Sequence, residues 1–191
     1  MQPDSRLDQN IQNRRSLRSF ADKPVSPETL EVLFEAARWA ASCFNEQPWR
    51  FIYATRENPE EFECLAACLA GFNPNWANKA PVLIVTLAAK HFAANGKPNR
   101  HAQHDVGLAM GNLSLQAVSL GLTVHEMAGF DAAKVVADLG VPEEFEPVTM
   151  AAVGYPGTPD QLSDALREKE LAPRSRKPLA ELVFRGTFGA G

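Results

Sequence analysis

Cysteine is scarce in this chain: three residues in 191, an odd set that cannot make a disulfide framework the main support of the fold. Cys64 and Cys68 lie four apart on what reads as a helix, with no second pair and no nearby histidine, so they are expected to pack rather than to hold zinc. Long apolar runs are missing as well. The longest, from Ala80 to Ala89, is about half of what a helix needs to cross a bilayer. The polar stretch from Met1 to Asn10 lacks the apolar centre of a secretory signal, and the expectation is a cytoplasmic protein with no membrane partner. Excess positive charge is absent too, because 23 Asp and Glu against 19 Lys and Arg leave a formal charge of −4. A nucleic-acid binder presents a broad basic face, and this composition argues against one.

The familiar catalytic signatures are also missing. There is no Gly-x-Ser-x-Gly elbow, no Walker sequence, and no Gly-x-Gly-x-x-Gly after a predicted strand. Gly154-Tyr155-Pro156-Gly157 does follow a strand, but its proline makes it a turn rather than a dinucleotide loop. His101 and His104 sit three apart at a helix start and His125 precedes Glu126, without a matched acidic third ligand, so no metal is expected. Hydrolysis and metal catalysis lack the residues they need. A bound cofactor could supply the reactivity instead, with the protein binding and orienting it.

What is present is basic charge concentrated in two places. Six of the 19 Lys and Arg fall in Arg14-Arg15-Ser16-Leu17-Arg18 and Arg174-Ser175-Arg176-Lys177, near opposite ends of an otherwise acidic chain. Guanidinium forks beside a hydroxyl suit a dianionic phosphate, although a solvated basic surface at the two ends is the plainer alternative.

Helix starts are marked by Ser26-Pro27, Asn58-Pro59 and Thr158-Pro159, each pairing an N-cap residue with proline at the first helical position. They predict helices over about 27–42, 59–70 and 159–169. A short helix is expected near 7–13, and another between Asp131 and Gly140. Apolar and β-branched runs predict strands at Trp49–Thr55, Val82–Leu87, Leu122–Met127 and Val148–Val153, with a terminal strand at Leu182–Phe184. This alternation favours one layered α/β-type domain. The predicted helix from about 101 to 120 is apolar around nearly its whole circumference, with Gly107 and Gly111 allowing close approach. A second subunit covering it is therefore expected, with the central helix of a monomer as the alternative.

Several stretches, in order, resemble the FMN-dependent nitroreductase family. They are Arg14-Arg15-Ser16-Leu17-Arg18-Ser19-Phe20, Ala40-Ala41-Ser42-Cys43-Phe44-Asn45-Glu46-Gln47-Pro48-Trp49, Ala80-Pro81-Val82-Leu83-Ile84-Val85, Asp105 to Leu113, Ala128-Gly129-Phe130-Asp131 and Arg176-Lys177-Pro178-Leu179. The likeness runs over about residues 10–185. It implies a single α+β domain over 1–191: a three-layer α/β/α fold with a mixed central sheet flanked by helices, in an intertwined homodimer. It also implies that Arg14, Arg15, Ser16 and Arg18 meet the FMN phosphate and ribityl chain together with Arg174 and Arg176. Ser42, Asn45 and Gln47 would reach the flavin of the other subunit, although turn capping before Trp49 explains them equally well. Met127-Ala128-Gly129 would run along the flavin edge and offer a backbone N–H near its N5. Asn73 would lie on the pyrimidine side, where Asn75 competes with it. Ala41, Cys43-Phe44 and Ala128 depart from the usual residues, and Phe72, Trp76 and Phe92 have no assigned role. The activity implied is oxidoreduction, with NAD(P)H as donor and a nitroarene or quinone as acceptor, by a ping-pong mechanism in one pocket. The alternatives are a flavin-binding sensor or carrier without turnover, and a structural dimer that binds nothing.

Overall fold

The computed structural model describes residues 6–189. Helix α1 (Gln9–Asn13) leads to α2 (Pro27–Arg38), β1 (Trp49–Thr55), α3 (Pro59–Ala66) and β2 (Val82–Ala89). Then come α4 (Ala102–Ser119), β3 (Thr123–Met127), α5 (Ala132–Asp138), β4 (Phe145–Gly154) and α6 (Asp164–Leu171). Two of the expected caps act: Ser26 Oγ accepts from the Thr29 N–H and Asp131 from the Lys134 N–H, whereas the side chains of Asn58 and Thr158 make no cap hydrogen bond. Gly140, past the end of α5, takes a φ of 61°, which an L side chain adopts only with strain.

The sheet has the order β1-β2-β4-β3, and every neighbouring pair is antiparallel. This corrects the expected mixed sheet. β2 and β3 do run the same way, joined by the long crossover through α4, but β4 returns between them and removes any parallel neighbour. The expected strand at Leu182–Phe184 does not form; Leu182 and Val183 are exposed beyond a short 3-10 turn at Leu179–Glu181.

Alternation along the buried strands makes the three layers. Val82, Ile84 and Ala88 face one way, onto α2 and α4, while Leu83, Val85 and Leu87 face the other, onto α3 and α5. Because helices cover both faces, β2 reads as a nearly unbroken apolar run. Helix α4 buries Val106, Ala109, Met110, Leu113 and Ala117 on this core, each larger side chain contributing about 1.5–3 kcal/mol. Its opposite face stays open in the single chain: Leu108 is 40 % exposed, and a Cβ at Gly107 or Gly111 meets nothing within 4 Å.

Where helices end early, tertiary bonds take their backbone. α3 stops at Ala66 rather than 70, because Cys68 O accepts from Asp131 N and Ala70 N donates to Gly129 O. α2 stops at Arg38 rather than 42, ahead of a loop in which Phe44 has a φ of 54°. The start at Thr158-Pro159 yields only a 3-10 turn to Gln161, and α6 begins afresh after Ser163.

The turn after β4 fastens the amino-terminal segment. Gly157 N donates to Ser19 O and Ala21 N to Tyr155 O, and a Cβ on Gly157 would lie 2.6 Å from the backbone carbonyl carbon of Phe20. Gly157→Ala is therefore expected to cost about 1–3 kcal/mol through overpacking against backbone that cannot give way. Urea unfolding measures this; an unchanged midpoint would mean that the 19–21 segment is not seated against the turn.

Candidate functional site

The two basic clusters, about 160 residues apart in sequence, come together through a carboxylate that sequence reasoning missed. Glu170, near the end of α6, is buried, and its Oε1 accepts from Ser19 N at 3.0 Å and Ser19 Oγ at 2.8 Å. Both carboxylate oxygens accept from Arg18 N, at 2.9 and 3.0 Å, and the Arg18 guanidinium lies 3.8 Å away. Nothing in the hydropathy of α6 singles out this glutamate from its neighbours; only its place beside the Arg18-Ser19 backbone makes it an anchor.

The arginines divide their work. Arg174 donates to Arg14 O at 2.6 Å and Gln12 O at 2.7 Å, and Arg15 donates to Glu170 O at 3.0 Å, at the carboxyl end of α6. Both are pins between the two ends of the chain. Among the described residues, Arg14 donates only to Ser16 Oγ, at 3.3 Å, and Arg176 only to the neighbouring Ser175 O, at 2.7 Å, so most of their N–H groups remain open. Burial, and then the positive charges of Arg176, Arg14 and Arg15, lower the pKa of Arg174. A dianion would relieve that mutual repulsion.

Residues 15–17 run beside the free edge of β3 without pairing as a strand; Thr123 Oγ1 donates to Arg15 O at 2.8 Å and His125 Nδ1 lies 3.1 Å from Leu17 O. A carbonyl only accepts, so Nδ1 carries the proton and Nε2 is left as an acceptor. The imidazole is tilted against Trp76, at 4.4 Å between centroids, and Trp76 in turn packs near Phe20 and Arg18. Burial, reinforced by the Arg18 charge, holds the His125 pKa down to about 4. The ring is neutral at pH 7.

At the far end of β3, Met127, Ala128 and Gly129 form a loop clipped onto the 70–73 turn. Asn73 Nδ2 donates to Gly129 O at 2.9 Å, and a Cβ at Gly129 would lie 2.7 Å from that nitrogen, so a side chain there would displace the Asn73 amide. Among the described residues, the N–H groups of Ala128 and Gly129 have no hydrogen-bond partner. Asn75 makes no such contact with this loop.

Ser42, Asn45 and Gln47 are not brought to this place. They precede β1, which lies at the opposite edge of the sheet from β3, three strand spacings or about 14 Å across. Their loop is unusual in itself: Phe44, Asn45 and Gln47 all have positive φ, and Phe44 is 91 % exposed. Such strain persists where surroundings enforce it, here through Asp105 accepting from Cys43 N, Ser42 Oγ from Gln47 N and Glu46 from Ala93 N. Of the other unassigned aromatics, Phe92 packs edge-on to Phe44.

No group of three or more His, Cys, Asp or Glu among the described residues could hold a metal ion, and no helix is long and apolar enough to cross a membrane. The cysteines are free, with Cys68 in the core and its thiol pKa raised by burial.

Comparison with known proteins agrees across methods. Residues 11–155 match the Nitroreductase family. A Stenotrophomonas maltophilia protein named "Putative NADH dehydrogenase/NAD(P)H nitroreductase" is 30 % identical over 145 residues, covering 68 % of this chain and 74 % of that one. A crystal structure described as an oxidoreductase containing FMN superposes with a TM-score of 0.93 at 33 % identity, covering 100 % of this chain and 96 % of the other. A nitroreductase family protein from Clostridium difficile 630, 24 % identical, shares the fold with a TM-score of 0.73 over 94 % of this chain and 97 % of its own.

Two outcomes follow from the geometry. Glu170→Ala leaves the Arg18 and Ser19 donors without their acceptor and is expected to cost about 3–5 kcal/mol. Limited trypsin digestion should then cut after Arg174 and Arg176 earlier than in the parent; equal protection would show that the carboxylate does not hold the two ends together. For His125, the folded state resists protonation, so its contribution to stability is complete above pH 6.5 and is lost as the pH falls toward about 4. The slope is at most about 1.4 kcal/mol per pH unit. Urea titrations between pH 7 and 4.5 should show it, and His125→Gln should flatten it.

Proposed function

Because the chain belongs to the nitroreductase family, we propose that it is a homodimeric, FMN-dependent oxidoreductase that takes hydride from NAD(P)H and reduces small aromatic acceptors such as nitroarenes and quinones. The observation that carries this reading is the meeting of Arg14, Ser16 and Arg18 with Arg174 and Arg176 at one edge of the sheet. The donor set fits a phosphate monoester: open guanidinium N–H groups on Arg14 and Arg176, a hydroxyl on Ser16, and mutual repulsion that only an anion relieves. FMN, when bound, supplies the centre that accepts hydride and passes it on.

The chain's own residues bind and orient. Arg14, Ser16 and Arg176 would hold the phosphate, while Arg174 and Arg15 keep the two ends of the chain in register. The unpartnered N–H groups of Ala128 and Gly129 would meet the flavin edge near its N5, stabilising negative charge that develops there. Asn73, whose Nδ2 is committed to Gly129 O, keeps its side-chain oxygen for a pyrimidine N–H. Ala128 brings no side-chain acid to the chemistry. The lack of a dinucleotide-binding fingerprint supports donor and acceptor taking turns over the flavin, which is ping-pong behaviour.

Two features support a homodimer with the flavin at its interface. The strained Ser42 to Gln47 loop reaches no ligand site of its own chain, so a second copy would contribute it. The arm beyond α6 exposes Leu179, Leu182, Val183 and Phe188, and the open face of α4 sets Leu108 beside Gly107 and Gly111, where a second backbone can approach closely.

The purified protein is expected to be yellow, to release FMN on heating, and to lose at least about tenfold in FMN affinity on Arg14→Ala or Arg176→Ala, or about 1.5–3 kcal/mol each. Chromatography of the released ligand and a fluorescence titration measure both. FAD, no flavin, or unchanged affinity in both variants at moderate salt would overturn the assignment. Bound FMN that neither NADH nor NADPH reduces would point to a carrier or sensor.

A further inference from the structure

Arg18 and Trp76 also wall a cleft of about 670 Å³ between the 72–79 turns and the segment from Gln161 to Lys169. Its volume is in the range of small-molecule and cofactor sites, and larger than one aromatic ring needs. Every charged side chain lining it is cationic: Arg18, Lys79 and Lys169. Among the described residues, the Nζ of neither lysine has an ion-pair or hydrogen-bond partner. Of the carboxylates near Lys169 in sequence, Asp160 and Asp164 pair with Arg167, Glu170 is held by Arg18 and Ser19, and Glu168 does not line the cleft. In a chain of net charge −4, such a cleft concentrates anions.

Its walls are suited to more than charge. Leu162 and Leu166 supply an apolar side, and Phe72 stands at the rim with its ring 83 % exposed, free to stack on a planar base. The cleft is not the cofactor's phosphate pocket, since none of Arg14, Arg174 and Arg176 lines it, yet it adjoins that site through Arg18 and Asn73. From this combination, which rests on the oxidoreductase reading above, we propose that the cleft docks the phosphate-bearing adenosine half of the nicotinamide donor. Lys79 and Lys169 hold its phosphates and Phe72 stacks on its adenine. A chain without a dinucleotide-binding loop thereby still gains a handle on the half of the donor that does not react.

Steady-state kinetics of the FMN-loaded enzyme with two donors tests this. Lys79→Ala and Lys169→Ala should each raise KM for NADH and NADPH about five- to tenfold with kcat unchanged, and the double variant should raise it further. KM for 1-benzyl-1,4-dihydronicotinamide, which carries no phosphate and no adenine, should not move. Dinucleotide KM values that stay at the parent level, or that rise equally with the truncated donor, overturn the proposal. So does a rise confined to an acidic acceptor such as 4-nitrobenzoate, which would give the cleft to the acceptor. A parent enzyme that oxidises neither donor defeats the oxidoreductase reading itself, an outcome distinct from normal turnover of the truncated donor with lysine variants that leave dinucleotide KM unchanged.

Discussion

The carboxylate of Glu170 receives two backbone N–H groups and a hydroxyl from Arg18 and Ser19 while buried, and the arrangement of the candidate site depends on that contact. A buried charge is costly unless it is fully hydrogen-bonded, so the same contact that ties the end of α6 to the start of the chain also leaves little freedom in where that end can lie. Arg174 and Arg15 then fasten neighbouring carbonyls, and the open guanidiniums of Arg14 and Arg176 are left near Arg174. A cluster of like charges is tolerable because hydrogen-bonded pins on either side of it hold the backbone in place.

The sheet decides what can share a pocket. With β3 and β1 at opposite edges, residues that lean on β3 gather around His125 and Trp76, and the loop before β1 is carried to the other side of the chain. The neutral, tilted imidazole of His125 is part of this frame: its proton is committed to Leu17 O, and charging it would place a cation beside Arg18 in a poorly solvated corner. Packing, rather than acid–base chemistry, explains why a histidine stands there.

Much of the frame was legible in the sequence because local signals and tertiary contacts agreed. Trp49–Thr55 forms as read, and the N-caps at Ser26 and Asp131 act as their residue types suggest. Disagreement arose where long-range bonds outcompeted local preference. α3 gives up its last turn to the 129–131 loop, and Thr158-Pro159 starts a single turn because the chain turns extended at Leu162 before α6. The mixed sheet that the family resemblance implies is not found, because β4 is inserted between β2 and β3 and makes every pair antiparallel.

By itself the sequence determined the caps at Ser26 and Asp131, the apolar period of the strands, the long helix at 102–119 and the chemistry of two arginine-rich segments, since each depends on residues close together along the chain. Tertiary structure alone decided which arginines are pins and which are open. It also buried Glu170 as their anchor, set Gly129 against Asn73, and sent the Ser42 to Gln47 loop away from the arginines. Those outcomes depend on distances between residues as many as 160 positions apart, which no local pattern encodes.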